Sequence, residues 1–253
     1  MTVGRFPARR GWLAVFAKAP RSGEVKTRLC PPFSHEQAAA LYRCLLADGL
    51  EESAHAARAL GLEPVLAVDP PEAVSELAAL APPGFRALPQ RGADLGARMS
   101  HVARQAAASG APLALLRGSD SPTLARAELG HCVCELGRTD LVVGPDRDGG
   151  YHLLGLGPRA LSCAGDLFDH PMSTPTVLRD TVARAERAGL SVGRLETGFD
   201  LDSFEDLRWL ADARHRDGSI PCQRTLGFLD EQRLWPARSA LDARRFSDPD
   251  SGT

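Results

Sequence analysis

The order of patterns along this 253-residue sequence predicts an α/β fold, a mostly parallel central sheet covered on both faces by helices. Three observations carry the prediction. Apolar runs of strand length alternate with stretches of helical apolar spacing. The run APLALLRG at 111–118 is continuously apolar, as a strand buried on both faces requires. Gly, Pro and Asp gather in the joints between these runs, where chain reversals need them.

Taken in order, GWLAVFAK (11–18) reads as a buried strand. After a loop, Ser34 to Leu60 has helical spacing, with Ser34 and Gln37 placed as a capping box. PVLAV (64–68) follows Gly61 as a second strand, the Ala-rich stretch after Pro71 as a helix, and FRALPQ (85–90) as a short strand. Leu95 to Ala108 is predicted helical, 111–118 a central strand, and Thr123 to Leu136 helical again. LVVGP (141–145) and YHLLGL (151–156) read as strands, Thr176 to Ala188 as a helix, SVGRLE (191–196) as a strand and Phe204 to Ala213 as a last helix. The pattern degrades beyond about residue 217, which divides the chain into a domain at 1–217 and a C-terminal extension at 218–253 of no assignable role.

A chain of this length buries roughly three quarters of its unfolded surface, so a sizeable core is expected. A net charge of -2 gives no general attraction to nucleic acid or to an anionic membrane, so any anion site must be local. No apolar run approaches the roughly 20 residues that span a bilayer, and the apolar stretch near the start is short for a secretory leader; a cytoplasmic protein is expected. Six cysteines scattered through so large a chain read as reduced thiols. His131, Cys132 and Cys134 suggest zinc only superficially, because C-x-C on a helix points its thiols to different faces.

In such sheets ligands bind beyond the carboxyl ends of the strands, which directs attention to 18–28, 118–123 and 144–150. The first of these loops is Lys18-Ala-Pro-Arg-Ser-Gly-Glu-Val-Lys26-Thr-Arg28. Lys18 and Lys26 are the chain's only lysines, all other basic residues being Arg, and they fall in one nine-residue window. A compact ammonium meets a phosphate oxygen as a point charge, which a planar guanidinium imitates poorly, so the clustering favours a phosphate cradle over a merely solvated loop. It is not a Walker A loop, since Gly23 is its only glycine.

Gly118-Ser-Asp120-Ser-Pro-Thr123 puts a carboxylate at the end of the most hydrophobic strand, where it either holds a divalent cation beside phosphates or caps the next helix. Gly144-Pro-Asp146-Arg-Asp148-Gly149-Gly150-Tyr151 is either a close approach of backbone to ligand or a hairpin turn. Asp200-Leu-Asp202 before a helix offers metal ligation, capping or one of each. Gly155-Leu-Gly157-Pro-Arg-Ala160 fits a dinucleotide pattern but lacks the acidic residue about 20 positions on, and the Ser/His pairs lack a nucleophile elbow.

In chain order, FAKAPRSGEVKTRL, PQRGADLGARM, LLRGSDSPTL, GPDRDGGYHLLGL and DLDSFEDL resemble the successive motifs of the bacterial glycosyltransferase-A-like, or DUF2064, proteins over about 11–212. More distantly they are similar to the 2-phospholactate or phosphoenolpyruvate guanylyltransferases, which also belong with the nucleotide-diphospho-sugar transferases. The resemblance implies a single Rossmann-like GT-A domain. It also implies a nucleotide bound by Phe16, Ala17, Lys18, Pro20, Gly23, Lys26, Arg28, Gly92, Asp94 and Ser119. Asp148, Gly149, Gly150 and Tyr151 would face a small-molecule acceptor, and Asp120, Asp200 and Asp202 would hold Mg²⁺ or Mn²⁺. Lys18, Lys26, Arg28 and Asp120 would carry catalysis. Ser121 stands where many relatives have Cys, a departure outside the metal set. The expected reaction is transfer of NMP from an NTP with release of pyrophosphate; glycosyl transfer from a nucleoside diphosphate sugar and a non-catalytic nucleotide-binding module are the rivals.

Overall fold

Alternate residues of the first strand go to opposite cores, and this sets the architecture. The computed structural model describes residues 10–216 and 220–236, and its first strand, β1, is Trp12–Lys18. Trp12 and Ala14 enter one core, Leu13 and Val15 the cores on the other face. A strand buried on both faces must be apolar throughout, as this one is.

The helix α1 (His35–Leu60) starts with the full Ser34/Gln37 capping box and ends at Gly61 in the left-handed region. Next come β2 (Glu63–Asp69), the five-residue α2 (Val74–Ala78), β3 (Arg86–Pro89), α3 (Leu95–Ala108) and β4 (Ala114–Gly118). The chain continues through α4 (Arg126–Glu135), β5 (Leu141–Pro145), β6 (Tyr151–Leu156), the short α5 (Pro158–Ser162) and α6 (Ala164–Leu167), then α7 (Val177–Arg187) and β7 (Val192–Arg194). It closes with α8 (Leu207–Arg216) and α9 (Gln223–Gln232).

The seven strands lie in the order β3-β2-β1-β4-β6-β5-β7. Only β6 runs antiparallel to its neighbours. The order reverses between β1 and β4, and the carboxyl ends of both strands open there on one crevice. Because β6 is antiparallel, its first residue, Tyr151, lies at that same edge opposite Pro145.

The short α5 and α6 have no counterpart in the sequence expectation, and two further helices depart from it for one reason. The helix expected from Thr123 begins only at Arg126, with Ala125 in place of a capping side chain. Its first amide is taken instead by Glu52 of α1, at 2.7 Å. The C-terminal extension, read as unassignable, supplies α9, whose Thr225 amide and hydroxyl both donate to Asp48 of α1. Ile220, Cys222, Leu226 and Leu229 share a core with Leu41 and Leu45 of α1 and Leu207 and Leu210 of α8. Residues 237–253 of that extension and 1–9 of the expected domain lie outside the described residues. No described helix is long and apolar enough to cross a membrane.

Candidate active site

The crevice between β1 and β4 is a cleft of about 720 Å³. The loop after β1, the β4 terminus, the start of α3, the segment 146–152 and the Asp200–Asp202 loop all contribute to its walls.

Lys26 sits deepest of the loop's cations. Its side chain is only 4% exposed, with Nζ 2.7 Å from Asp120 Oδ1 and 2.8 Å from Asp202 Oδ1. The contact to Asp202 has hydrogen-bond geometry, whereas Asp120 Oδ1 is paired by charge alone, without a directed donor. Burial works against the ammonium, but Asp120 and Asp202 outweigh it and hold its pKa above the ordinary lysine value. The Lys26 backbone is itself left-handed, φ 51° and ψ 33°, an uncommon state for a residue with a Cβ. Lys18 and Arg28, by contrast, are exposed at the cleft and form no ion pair among the described residues. Tyr42 of α1 ties the two strand ends together: its hydroxyl accepts from the Lys18 amide and pairs with Ser119 Oγ, both at 2.9 Å.

Beneath Asp120 lies Arg117, 2% exposed. Its Nε donates to the Gly118 carbonyl at 3.0 Å, and its two other nitrogens donate to Ser121 O and to Ser53 Oγ. Burial pushes its pKa down to about 10 against the attraction of Asp200 and its neighbours. His152, also buried, spans the Pro145 carbonyl and Glu128, bracing the turn that carries Asp146 and Asp148.

The structure redistributes the predicted metal set. Asp200 does not join Asp120 and Asp202 around a common point; its carboxylate takes the Ser121 hydroxyl and its amide donates to Asp146. Among the described residues no group of three or more His, Cys, Asp or Glu is placed to hold a metal ion. The pair Asp120 and Asp202 nevertheless fits a hard cation, because an ammonium already lies between their oxygens and Mg²⁺ typically needs only one or two carboxylates. None of the three aspartates caps a helix: the cap before α4 is Ala125 and the cap at Phe204 is Ser203.

Other expected contacts also move. Asp94 caps α3 by accepting from Ala97 N, and Gly92 is required by the turn before it, since a Cβ there would lie 2.6 Å from Ala97 Cβ. Neither lines the cleft, nor do Pro20 and Gly23, whereas Gln90, Leu95, Arg98 and Met99 of the same 90–99 segment do. Gly149 (φ +88°) does not face an acceptor either, because a Cβ would meet the Pro175 carbonyl at 2.1 Å; Asp148, Gly150 and Tyr151 do line the cleft. Phe16, Ala17, Lys18, Lys26, Arg28, Ser119, Asp120, Asp200 and Asp202 line it as well. Cys132 is buried, its thiol pushed up to about 12, and Cys134 is exposed, so the two thiols do face apart.

Asp200 gives a pH test. Burial, then the charges of Asp146 and Asp120, raise its pKa well above the usual 3.8. A raised carboxyl pKa contributes stability below the unfolded value, and that contribution is lost as pH rises through the folded value. Asp200→Asn keeps an acceptor for Ser121 and removes the titration, so its melting temperature relative to wild type is expected to climb between pH 4 and pH 8. A difference that stays constant over this range, measured at fixed ionic strength, would place the charged carboxylate at no cost in the fold.

Sheet order and cleft give the chain the α/β transferase fold of the nucleotide-diphospho-sugar transferases. The family model described as "Uncharacterized protein conserved in bacteria (DUF2064)" matches residues 52–174, which bears out the resemblance read from the motifs. A protein of Desulfovibrio desulfuricans G20, provisionally described as a nucleotide-diphospho-sugar transferase, superposes with a TM-score of 0.77 at 29% identity, covering 90% of this chain and 100% of its own. A cytidylyltransferase from Leptospira borgpetersenii serovar Hardjo-bovis (TM-score 0.54, 10% identity, 89% and 96% covered) shares the fold. So does 4-diphosphocytidyl-2C-methyl-D-erythritol synthase from Anaerococcus prevotii DSM 20548 (0.52, 11%, 81% and 97%). No curated protein sequence matches the chain.

Proposed function

We propose that the protein is a nucleotidyltransferase, moving NMP from a nucleoside triphosphate to a small phosphorylated or oxyanionic acceptor. The observation that carries this reading is the placement of two cations, Lys18 and Arg28, that form no ion pair among the described residues, beside the buried Lys26 and its partners Asp120 and Asp202 at the sheet's switch point. Such a set suits the several charges of a triphosphate. The cytidylyltransferases that share the fold support it.

In the reaction an acceptor oxygen attacks the α-phosphorus, a new P–O bond forms, and the bond to the β-phosphate oxygen breaks to release pyrophosphate. Lys18 and Arg28 hold the departing pyrophosphate and neutralise the charge that develops on it. Ser119, fixed by Tyr42, and the Gly118–Asp120 turn shape the wall against which the phosphates are aligned. A divalent ion held by Asp120 and Asp202 would supply further neutralisation of the phosphates when bound. Asp148, Gly150 and Tyr151 also line the cleft, and the acceptor would lie against them.

A screen of the pure protein with the four NTPs and with nucleotide sugars, in Mg²⁺ or Mn²⁺, tests the reading. Pyrophosphate release is the expected result. NDP release from a nucleotide sugar would make the protein a glycosyltransferase, and a ligand-induced thermal shift without product would make it a binding module.

Lys18→Ala is expected to weaken nucleotide binding by about 1.5–3 kcal/mol, roughly 10- to 150-fold, the worth of one charge-assisted hydrogen bond. The exposed side chain supports no packing, so the fold should be unaffected. Unchanged affinity by calorimetry would remove Lys18 from the nucleotide site.

A further inference from the structure

The position best suited to a cation in this cleft is filled by the protein itself. Lys26 Nζ lies within 2.8 Å of both Asp120 Oδ1 and Asp202 Oδ1 and about 5.9 Å above the Tyr42 ring, in a side chain almost sealed from water. A hard divalent ion would need those same two oxygens. Both cannot occupy one point, and an ammonium held between two carboxylates repels an arriving dication. The cluster does need positive charge, because the carboxylates of Asp120, Asp146, Asp200 and Asp202 all line this cleft. Lys26 meets that need while the cleft is empty.

We propose that Lys26 is a built-in placeholder for the metal, so that a divalent ion gains the Asp120–Asp202 pair only when nucleotide phosphates arrive to take the Lys26 ammonium in exchange. The inference rests on the nucleotide-site reading above. It goes further by fixing an order: in the absence of nucleotide the carboxylates are closed to metal, and binding of the two ligands is coupled through one side chain. Such coupling is reciprocal, each ligand raising the affinity of the other by the same factor. The loop gives Lys26 somewhere to go. Lys18 and Arg28 already mark the exposed, basic side of the cleft where phosphates would collect, and a flexible four-carbon stem lets the Lys26 ammonium follow them.

Two measurements test the exchange. The first titrates Mn²⁺ alone, followed by its EPR signal, into wild type, Lys26→Met, Lys26→Gln and the double variant Lys26→Met/Asp120→Asn, after circular dichroism has established which are folded. Expected is one bound Mn²⁺ in the single variants, at least 10-fold tighter than in wild type, and loss of that site in the double variant. Equal nucleotide-free Mn²⁺ affinity in wild type and the single variants, whether strong or absent, overturns the proposal.

The second needs no variant. The chain has only two lysines, so lysine labelled with ¹³C at Cε gives two signals in the wild-type protein. Mg²⁺ alone should leave the Lys26 signal in place, and Mg²⁺ with a non-hydrolysable NTP should move it. A shift of that signal with Mg²⁺ alone overturns the placeholder role. Calorimetry with the same NTP keeps the two ideas apart: if no nucleotide binds, the proposed function falls, while the Mn²⁺ comparison still decides whether Lys26 blocks the carboxylate pair.

Discussion

Asp120→Asn is expected to reduce turnover about 100-fold or more, a loss of roughly 2.7 kcal/mol of transition-state stabilisation, with Asp202→Asn close behind. The substitution preserves shape and removes charge. In the sequence alone it would have had to be weighed against helix capping, where Asn serves as well as Asp. The fold removes that alternative, since α4 starts at Arg126 and is capped from α1. It also adds a consequence that capping would not produce. Lys26 is buried against both carboxylates, so neutralising either leaves an almost inaccessible ammonium with half its compensation. A measurable fall in thermal stability, on the order of 1–3 kcal/mol, should therefore accompany the loss of activity. Near-wild-type turnover on a substrate that the unmodified protein uses would exclude Asp120 from the chemistry, and unchanged melting would show that the ion pair contributes nothing net.

Much of the architecture was legible because each strand declares itself by composition and each break by Gly, Pro or Asp. The α1 capping box and the limits of α3 are local features, written within a few residues of where they act. What escaped was supplied from a distance. The first turns of α4 and α9 take their acceptors from Glu52 and Asp48, and no local sequence rule sees a cap that arrives from another helix. The mixed part of the sheet was only half visible: β6 reads like any buried strand, and its reversal follows from the tight 146–150 turn, one of the two readings that the glycine pair left open.

The candidate site was legible where chemistry is sparse in the sequence and illegible where it is common. Two lysines in one window and an aspartate after the most apolar strand stood out against an Arg-rich, Ala-rich background. That Lys26 pairs with Asp120 and Asp202 instead of pointing at the phosphates could not be read, because it depends on residues 176 positions apart meeting at one sheet edge. Glycines misled for the opposite reason. Gly92 and Gly149 are needed by their own surroundings, Ala97 and Pro175, and a sequence does not distinguish a neighbour's backbone from a ligand. Tyr42 was overlooked although the chain has only two tyrosines and both line the cleft, a scarcity signal like that of the lysines.

Arg117→Met should produce the largest loss of stability at the site, about 3 kcal/mol, or roughly 6–12 °C in melting temperature for a chain of this size. On a central strand buried on both faces an arginine is out of place. In the fold it is fully inside, under the turn that carries Ser119 and Asp120, and among the described residues no carboxylate pairs with it directly. Its hydrogens instead satisfy the Gly118 and Ser121 carbonyls on either side of that turn, while its charge offsets the field of Asp200 from below. Gly49 and Ser53 of α1 leave room for it, a Cβ on Gly49 coming 3.4 Å from its guanidinium. Replacing a complete buried ion pair by apolar residues is often neutral, but Met removes only the cation, taking its donors from the Gly118 and Ser121 carbonyls and its charge from the field of Asp200. Arg117→Lys keeps that charge but not the fork of donors, so it should recover only part of the loss. If Arg117→Met melts at or above wild type, the turn holds its own shape, and the precision of Asp120 must come from Lys26 and Tyr42 alone.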